Sequence, residues 1–209
     1  MAARRVFRYA GAMQDDSPFV RSHELMSADD TALVVIDMQC KLLAAIPGAP
    51  NIVWNCRRLL EGARAFGLPA LGTEQYPAGL GPSVPEVVEH LGVLTAKREF
   101  SCLDSREFRD RLGSVNCFKV LVAGIEAHVC VQQTVFDLLA GGYRVYLPVD
   151  AVGSRTALDR DVAIRRMENA GCTVTTTEAA LFEWCRTSAR TEFKLISSLV
   201  RQPPPDPPC

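Results

Sequence analysis

The chain has 209 residues, enough for one well-buried α/β domain and too few for two generous ones. Its 23 Lys and Arg stand against 24 Asp and Glu, a net charge of −1, so it lacks the basic excess on which nucleic-acid binding rests; a small-molecule partner is expected instead. No apolar run approaches the roughly 20 residues a membrane-spanning helix requires, and no secretory leader follows Met1, which predicts a soluble protein without a membrane partner.

Residues 1–30 are unpatterned and read as an N-terminal extension. The stretch Met1 to Tyr9 is basic, with no acid before Asp15, which keeps a mitochondrial leader in view beside a cytoplasmic home. Residues 31–200 form the domain, and 201–209 are a proline-rich tail that cannot be helical. Within the domain, short apolar runs alternate with helical patterns. The first strand is Ala32 to Ile36, apolar on both faces as in a central parallel strand, and a helix from Ile52 to Phe66 ends at Gly67. Leu68 to Gly72 is the second strand. A Gly/Pro-rich loop, Tyr76 to Pro85, leads to a third at Gly92 to Ala96. A helix from Asp104 to Leu112 takes Asp104 as its N-cap; Phe118 to Ala123 is the fourth strand, Val131 to Leu139 a helix and Tyr143 to Val149 the fifth strand. Leu158 to Ala170 and Cys172 to Thr176 give another helix and the sixth strand, and two helices close the domain. The prediction is a Rossmann-like three-layer α/β/α fold around a six-stranded parallel sheet.

Ligands of such sheets collect beyond the carboxyl ends of the strands. Those ends carry Asp37, Thr73-Glu-Gln75, Lys97-Arg-Glu99, Glu126 to Cys130, and Asp150. Taken singly, each is more often a solvated or capping residue. Eight cysteines without a C-x-x-C pair indicate reduced thiols and an intracellular home, and three histidines at separations fitting no zinc template make a structural metal unexpected. Cys130 stands apart because it opens a helix directly after a central strand, where the helix's positive end should lower a thiol's pKa. Two readings stay open there: a nucleophile, with His128 as the nearest base in sequence, or a buried thiol. Gly79-Leu-Gly81 lacks the strand and the further glycine of a dinucleotide fingerprint, so no nucleotide cofactor is expected.

Leu-Val-Val-Ile-Asp37-Met-Gln39, Ala96-Lys97-Arg-Glu-Phe-Ser101 and Gly124-Ile-Glu-Ala-His-Val-Cys130-Val, followed by Val149-Asp-Ala151 and Ser154-Arg155, resemble the isochorismatase-like cysteine hydrolases over about residues 31–185. The loop Thr73 to Gly81, with Val84-Pro-Glu86 and Phe100-Ser-Cys102, is similar to the subgroup of isochorismatase domain-containing proteins. The resemblance implies a catalytic triad of Asp37, Lys97 and Cys130, which moves His128 from base to pocket wall. It also implies a cis peptide between Glu126 and Ala127, an oxyanion hole from the N–H groups of Ala127 and Cys130, and assembly into a homo-oligomer. Gln39, Tyr76, Phe100 and His128 are the expected substrate-pocket residues; Gln39 reads equally as a bridge to the second loop or a plain loop amide. Metal-holding relatives use an Asp and two histidines after the second strand; Thr73-Glu-Gln-Tyr76 offers no histidine, so neither a metal nor another cofactor is expected. The implied activity is hydrolysis of a small amide, ureide or related C–N bond, with a non-catalytic binding or assembly role as the alternative.

Overall fold

The computed structural model describes residues 20–205, so the basic stretch at Met1 to Tyr9 lies outside the described residues. In chain order the elements are β1 (Thr31–Ile36), α1 (Cys40–Leu43), α2 (Ala49–Phe66), β2 (Ala70–Gln75), α3 (Pro77–Leu80), α4 (Pro85–Leu91), β3 (Thr95–Lys97), α5 (Arg106–Ser114) and β4 (Lys119–Ile125). There follow α6 (Gln132–Ala140), β5 (Arg144–Pro148), β6 (Val152–Gly153), α7 (Ala157–Asn169), β7 (Thr173–Thr175), α8 (Thr177–Cys185) and α9 (Phe193–Val200). All ladders between these strands are parallel, in the order β3-β2-β1-β4-β5-β7, with β6 paired to the far end of β4.

The alternation of side chains along a strand explains why β1 and β4 are apolar throughout. Leu33 and Val35 of β1 and Leu121, Ala123 and Ile125 of β4 face a core closed by α2, α4, α8 and α9. Their neighbours Ala32, Val34, Ile36, Val120 and Val122 face a second core closed by α5, α6 and α7. Each fully buried aliphatic side chain contributes about 1.5–3 kcal/mol, so both layers are held by the sheet's two apolar faces. Met26, ahead of β1, is fully buried in the first core.

The sheet has seven strands where the sequence predicted six. The extra one, β6, pairs through only two residues, too short for any periodicity to register. β3 starts at Thr95 rather than Gly92, because Gly92 instead caps α4 with a positive φ. The Gly/Pro-rich stretch is not all loop: it contains α3, and its last residue, Pro85, opens α4; both helices carry proline in the first turn, where no N–H is needed. Ser105, not Asp104, caps α5; Asp104 ends a short 3₁₀ turn, and the Ser105 hydroxyl accepts the Phe108 N–H. At Gly124 the chain passes so close to β1 that a Cβ would sit 2.2 Å from the Ile36 carbonyl oxygen. That approach brings the ends of β1 and β4 together.

Candidate active site

β1 and β4 lie side by side where the strand order reverses, and the polar strand ends gather over that junction. Asp37, the first residue past β1, has φ 52°, a left-handed conformation that Asp tolerates better than most residues; the turn leaves its carboxylate fully buried. Oδ1 accepts the Thr73 hydroxyl at 2.7 Å, and Oδ2 accepts the Lys97 ammonium at 2.7 Å. The Lys97 and Asp37 side chains are both 0% exposed. Lys97 donates a second hydrogen bond, 2.7 Å, to Oε1 of Gln75 at the end of β2. The Cys130 thiol completes the group: its Sγ lies 4.0 Å from Gln75 Oε1, the same oxygen that accepts from Lys97, the residue is 6% exposed, and the Asp37 carboxylate is near enough to act on its titration. Asp37, Lys97 and Cys130 therefore meet, from three separate strand ends.

Cys130 sits in a single π turn, Ala127–Val131, that joins β4 to α6. The Glu126 carbonyl accepts the N–H groups of Val129 at 3.1 Å and Val131 at 3.2 Å, on either side of Cys130. The cis peptide lies between Ile125 and Glu126, one residue earlier than the sequence implied. The ladder to β6 ends at the Ile125 and Gly153 pair, so the cis bond follows the last paired residue and the Glu126–Ala127 bond leads into the π turn.

A second correction concerns the thiol's charge. Burial pushes the Cys130 pKa up, and the Asp37 carboxylate adds to this; the Lys97 ammonium works in the opposite direction and does not offset them. Cys130 lies in the π turn ahead of α6, and the balance of burial and charge favours the protonated thiol. For Lys97, burial lowers the pKa, but Asp37 and the thiols of Cys102 and Cys130 outweigh it, so the ammonium is held above the usual lysine value. Cys102, fully buried with Sγ 3.7 Å from Thr73 Oγ1, is pushed up to about 11, chiefly by burial.

The expected pocket residues separate into three groups. Gln39 is a fully buried strut: its amide donates to the carbonyls of Gln75 (3.0 Å) and Gly81 (2.7 Å) and accepts the Gln75 N–H (2.8 Å), which makes it the bridge to the second loop. Tyr76 and Phe100 are exposed, 40% and 52%, with the Arg98 guanidinium 4.2 Å from the Tyr76 ring centre. His128 belongs to a separate cluster. Its Nδ1 is 3.0 Å from Ser154 Oγ and its Nε2 3.5 Å from Glu126 Oε2, while Arg155 Nε lies 2.9 Å from Glu126 Oε1. Ala127 is fully buried at the start of the π turn.

Sequence reasoning passed over Gln75 and Thr73 as site residues. The signal was present, since positions two apart on a strand share a face and Gln75 ends β2 with Thr73 two residues before it. A cavity of about 230 Å³ opens beyond His128, lined by Ile52, Asp150, Gly153, Ser154, Ala157 and Arg160 among others. None of Asp37, Lys97 or Cys130 lines it, so converging side chains rather than the depth of a hollow locate the site. Among the described residues no group of three or more His, Cys, Asp or Glu could hold a metal ion.

A doubly wound parallel sheet with a thiol, a carboxylate and an ammonium buried together at its carboxyl edge is the architecture of a hydrolase-type α/β fold. Residues 31–179 match the isochorismatase domain, and the chain belongs to the isochorismatase family. It is 40% identical over 179 residues to isochorismatase domain-containing protein 2 of Macaca fascicularis, covering 83% of this chain and 84% of that one. A solved structure named MAR1 ribonuclease, from Caenorhabditis elegans, superposes with a TM-score of 0.81 at 38% identity, covering 88% of this chain and 95% of that one. The YcaC gene product of Escherichia coli, an octameric hydrolase of unknown specificity, shares the fold with a TM-score of 0.79 at 22% identity, over 86% of this chain and 91% of its own.

Proposed function

We propose that the protein is a cysteine hydrolase of small amides, ureides or related C–N compounds, with Cys130 as nucleophile, Asp37 as base and Lys97 as the fixed counter-charge. The observation that carries this reading is that a buried carboxylate, an ammonium bound to it at 2.7 Å and the thiol converge, with Gln75 Oε1 2.7 Å from the ammonium and 4.0 Å from the sulfur. Because the resting thiol is protonated, attack and proton transfer run together: sulfur adds to the substrate carbonyl as its proton passes to Asp37. The carbonyl oxygen takes the negative charge and is met by the N–H groups of Ala127 and Cys130 at the start of the π turn. Collapse expels the amine with the proton from Asp37 and leaves a thioester. Water, deprotonated by Asp37, then releases the acid and frees the thiol. Lys97, gripped by Asp37 and Gln75, keeps its charge beside the sulfur throughout. The reading needs no metal, since the donors at the end of β2 include no histidine.

A panel of small amides and ureides, assayed for released amine, tests it: turnover should appear for at least one and vanish in Cys130→Ala. Undiminished turnover in that variant would remove the nucleophile, and no turnover across the panel would favour the non-catalytic binding or assembly role. An RNA substrate is a second reading, raised by the name of the Caenorhabditis elegans structure. The net charge of −1 and the 6% exposure of Cys130 favour a small molecule over a polymer, and RNA cleavage abolished in Cys130→Ala would reverse that preference. We also place the protein as a homo-oligomer, by analogy with the octameric neighbour, and inside the cell, since the seven described cysteines are all free.

A further inference from the structure

Beside the thiol turn stands a second set of groups in the order nucleophile, base and acid. The register of β6 on β4 pairs Gly153 with Ile125, which brings the residues that follow them, Ser154 and Glu126, to the same end of the sheet. Glycine permits this packing, since a Cβ at Gly153 would sit 2.3 Å from Ile52 Cδ1. His128, on the π turn, bridges the two: its Nδ1 is 3.0 Å from Ser154 Oγ and its Nε2 3.5 Å from Glu126 Oε2.

An ionised carboxylate only accepts, so the proton of a neutral His128 belongs on Nε2, which leaves the Nδ1 lone pair to accept the Ser154 hydroxyl. An imidazole held this way can take the serine proton as the oxygen attacks, and such a triad is recognised by roles rather than by order along the chain. Glu126 is fixed in turn, because Arg155 Nε lies 2.9 Å from its other oxygen, Oε1. The 3.5 Å contact is long, and catalytic contacts of this kind shorten when substrate fills a site.

A buried serine paired with a histidine needs no function. Ser154 differs because, though only 4% exposed, it lines the cavity of about 230 Å³ that none of the thiol-site residues reaches. The first N–H groups of a helix have no acceptor within it, and Ala157, which opens α7, lines the same cavity, so donors for an oxyanion stand on its wall. The rest of the lining sets the ligand class. Pro47, Ile52, Val149 and Val152 are apolar, and Asp150 adds a carboxylate. Arg160 is spent, donating to the carbonyls of Val149 and Val152 and pairing with Asp161. Such a space suits a short, uncharged acyl chain and offers an acid no free cation.

We propose that Ser154, with His128 as base and Glu126 as the orienting carboxylate, is a second nucleophilic site that hydrolyses neutral esters of short aliphatic acids. Ser154 Oγ adds to the ester carbonyl as its proton passes to His128 Nδ1, and the alcohol leaves with that proton. Water, deprotonated by His128, then releases the acid from the acyl-serine and restores the hydroxyl. None of this depends on Cys130.

Site-resolved labelling tests the proposal on the full-length protein. A fluorophosphonate, which bonds through phosphorus to an activated serine with loss of fluoride, should mark Ser154 at least about 100-fold faster than the exposed Ser188, read by peptide mass spectrometry. His128→Gln should lower the Ser154 rate by about 100-fold or more, the scale of a lost general base, without changing that of Ser188. In Cys130→Ala protein, where the thiol cannot contribute, p-nitrophenyl butyrate should be turned over, and adding Ser154→Ala should abolish that turnover. A Ser154 rate no higher than that of Ser188 overturns the proposal, as does a rate that His128→Gln leaves unchanged. Ester turnover that is absent from Cys130→Ala, or that survives the loss of Ser154, overturns it too. The labelling keeps Ser154 in place, so it decides the question even where the Ser154→Ala chain fails to fold. Amide turnover is read separately, so the cysteine hydrolase reading and this one can fail independently.

Discussion

Replacing Asp37 by Asn should make Cys130 more reactive toward an alkylating reagent while abolishing turnover. In the native protein two effects hold the thiol proton on: burial, the larger, and the neighbouring carboxylate. Asn leaves the burial and removes the charge. Two unit charges about 4 Å apart interact by about 4 kcal/mol at an effective dielectric near 20, equivalent to about three pH units and a ceiling here. The lost carboxylate also frees Lys97 from its ion pair, so the ammonium becomes available to a thiolate. Against this, the Asn amide still occupies the space and keeps the thiol from water. A fall of about 1–2 units in the apparent thiol pKa follows, with a 10- to 100-fold faster alkylation at a given pH below the titration midpoint. The assay is iodoacetamide labelling across pH, read at Cys130 in a Cys40→Ser background so that the exposed thiol does not consume reagent. An Asp37→Asn profile with the same or a higher midpoint would show that the carboxylate does not face the sulfur, and the proposed proton path from Cys130 to Asp37 would have to be abandoned.

Lys97→Met leaves a fully buried carboxylate with the Thr73 hydroxyl as its remaining side-chain donor outside the thiol, and should cost about 3–5 kcal/mol in urea unfolding. Adding Asp37→Asn should recover most of that loss, and a double variant as unstable as the single one would contradict a charge-burial cause. Gln39→Ala removes three hydrogen bonds between β1's end, Gln75 and Gly81; a loss of about 2–3 kcal/mol and faster proteolysis between Tyr76 and Pro85 are expected in a limited-digestion assay. Gly124→Ala puts a methyl group against the Ile36 carbonyl at a φ of 111° and should lower stability by more than about 3 kcal/mol by thermal unfolding; a near-neutral variant would show that the strands can separate there. Stability should also fall at alkaline pH. Burial raises the pKa of Cys102 and Cys117 to about 11 and of Cys172 to about 12, from an ordinary 9.0, with Cys56 and Cys130 shifted the same way. Their stabilising contribution is complete below the unfolded value and is lost as pH rises toward the folded ones. Each such thiol takes away about 1.4 kcal/mol per pH unit above 9, so urea midpoints that stay level between pH 9 and 11 would argue against buried thiols.

Much of the architecture was legible because its causes are local. β1 and β4 are apolar on both faces, which is how a strand with helices on either side must read, and Gly67 stops α2 in the left-handed conformation its position suggested. Cys130 stood out by its place at a helix start, whereas Asp37 and Lys97 were two among several polar strand ends until the family resemblance grouped them with it. What could not be read was contact. Nothing along the chain says that Gln75 Oε1 stands between an ammonium and a thiol, or that Glu126 is shared by His128 and Arg155. Cys130 shows the gap most clearly. Its place at a helix start predicted an acidified thiol, while burial and the Asp37 charge, which no local pattern reveals, push its pKa the other way.

The sequence by itself determined the strand and helix rhythm, the parallel sheet and the residue types waiting at its carboxyl edge, because periodicity and turn chemistry act over a few neighbouring residues. Only the tertiary structure decided which of those residues touch and which form of each is favoured. Burial and the field of a charge depend on groups far apart in the chain, and Asp37 reaches its two partners across 60 and 93 positions that no local pattern spans.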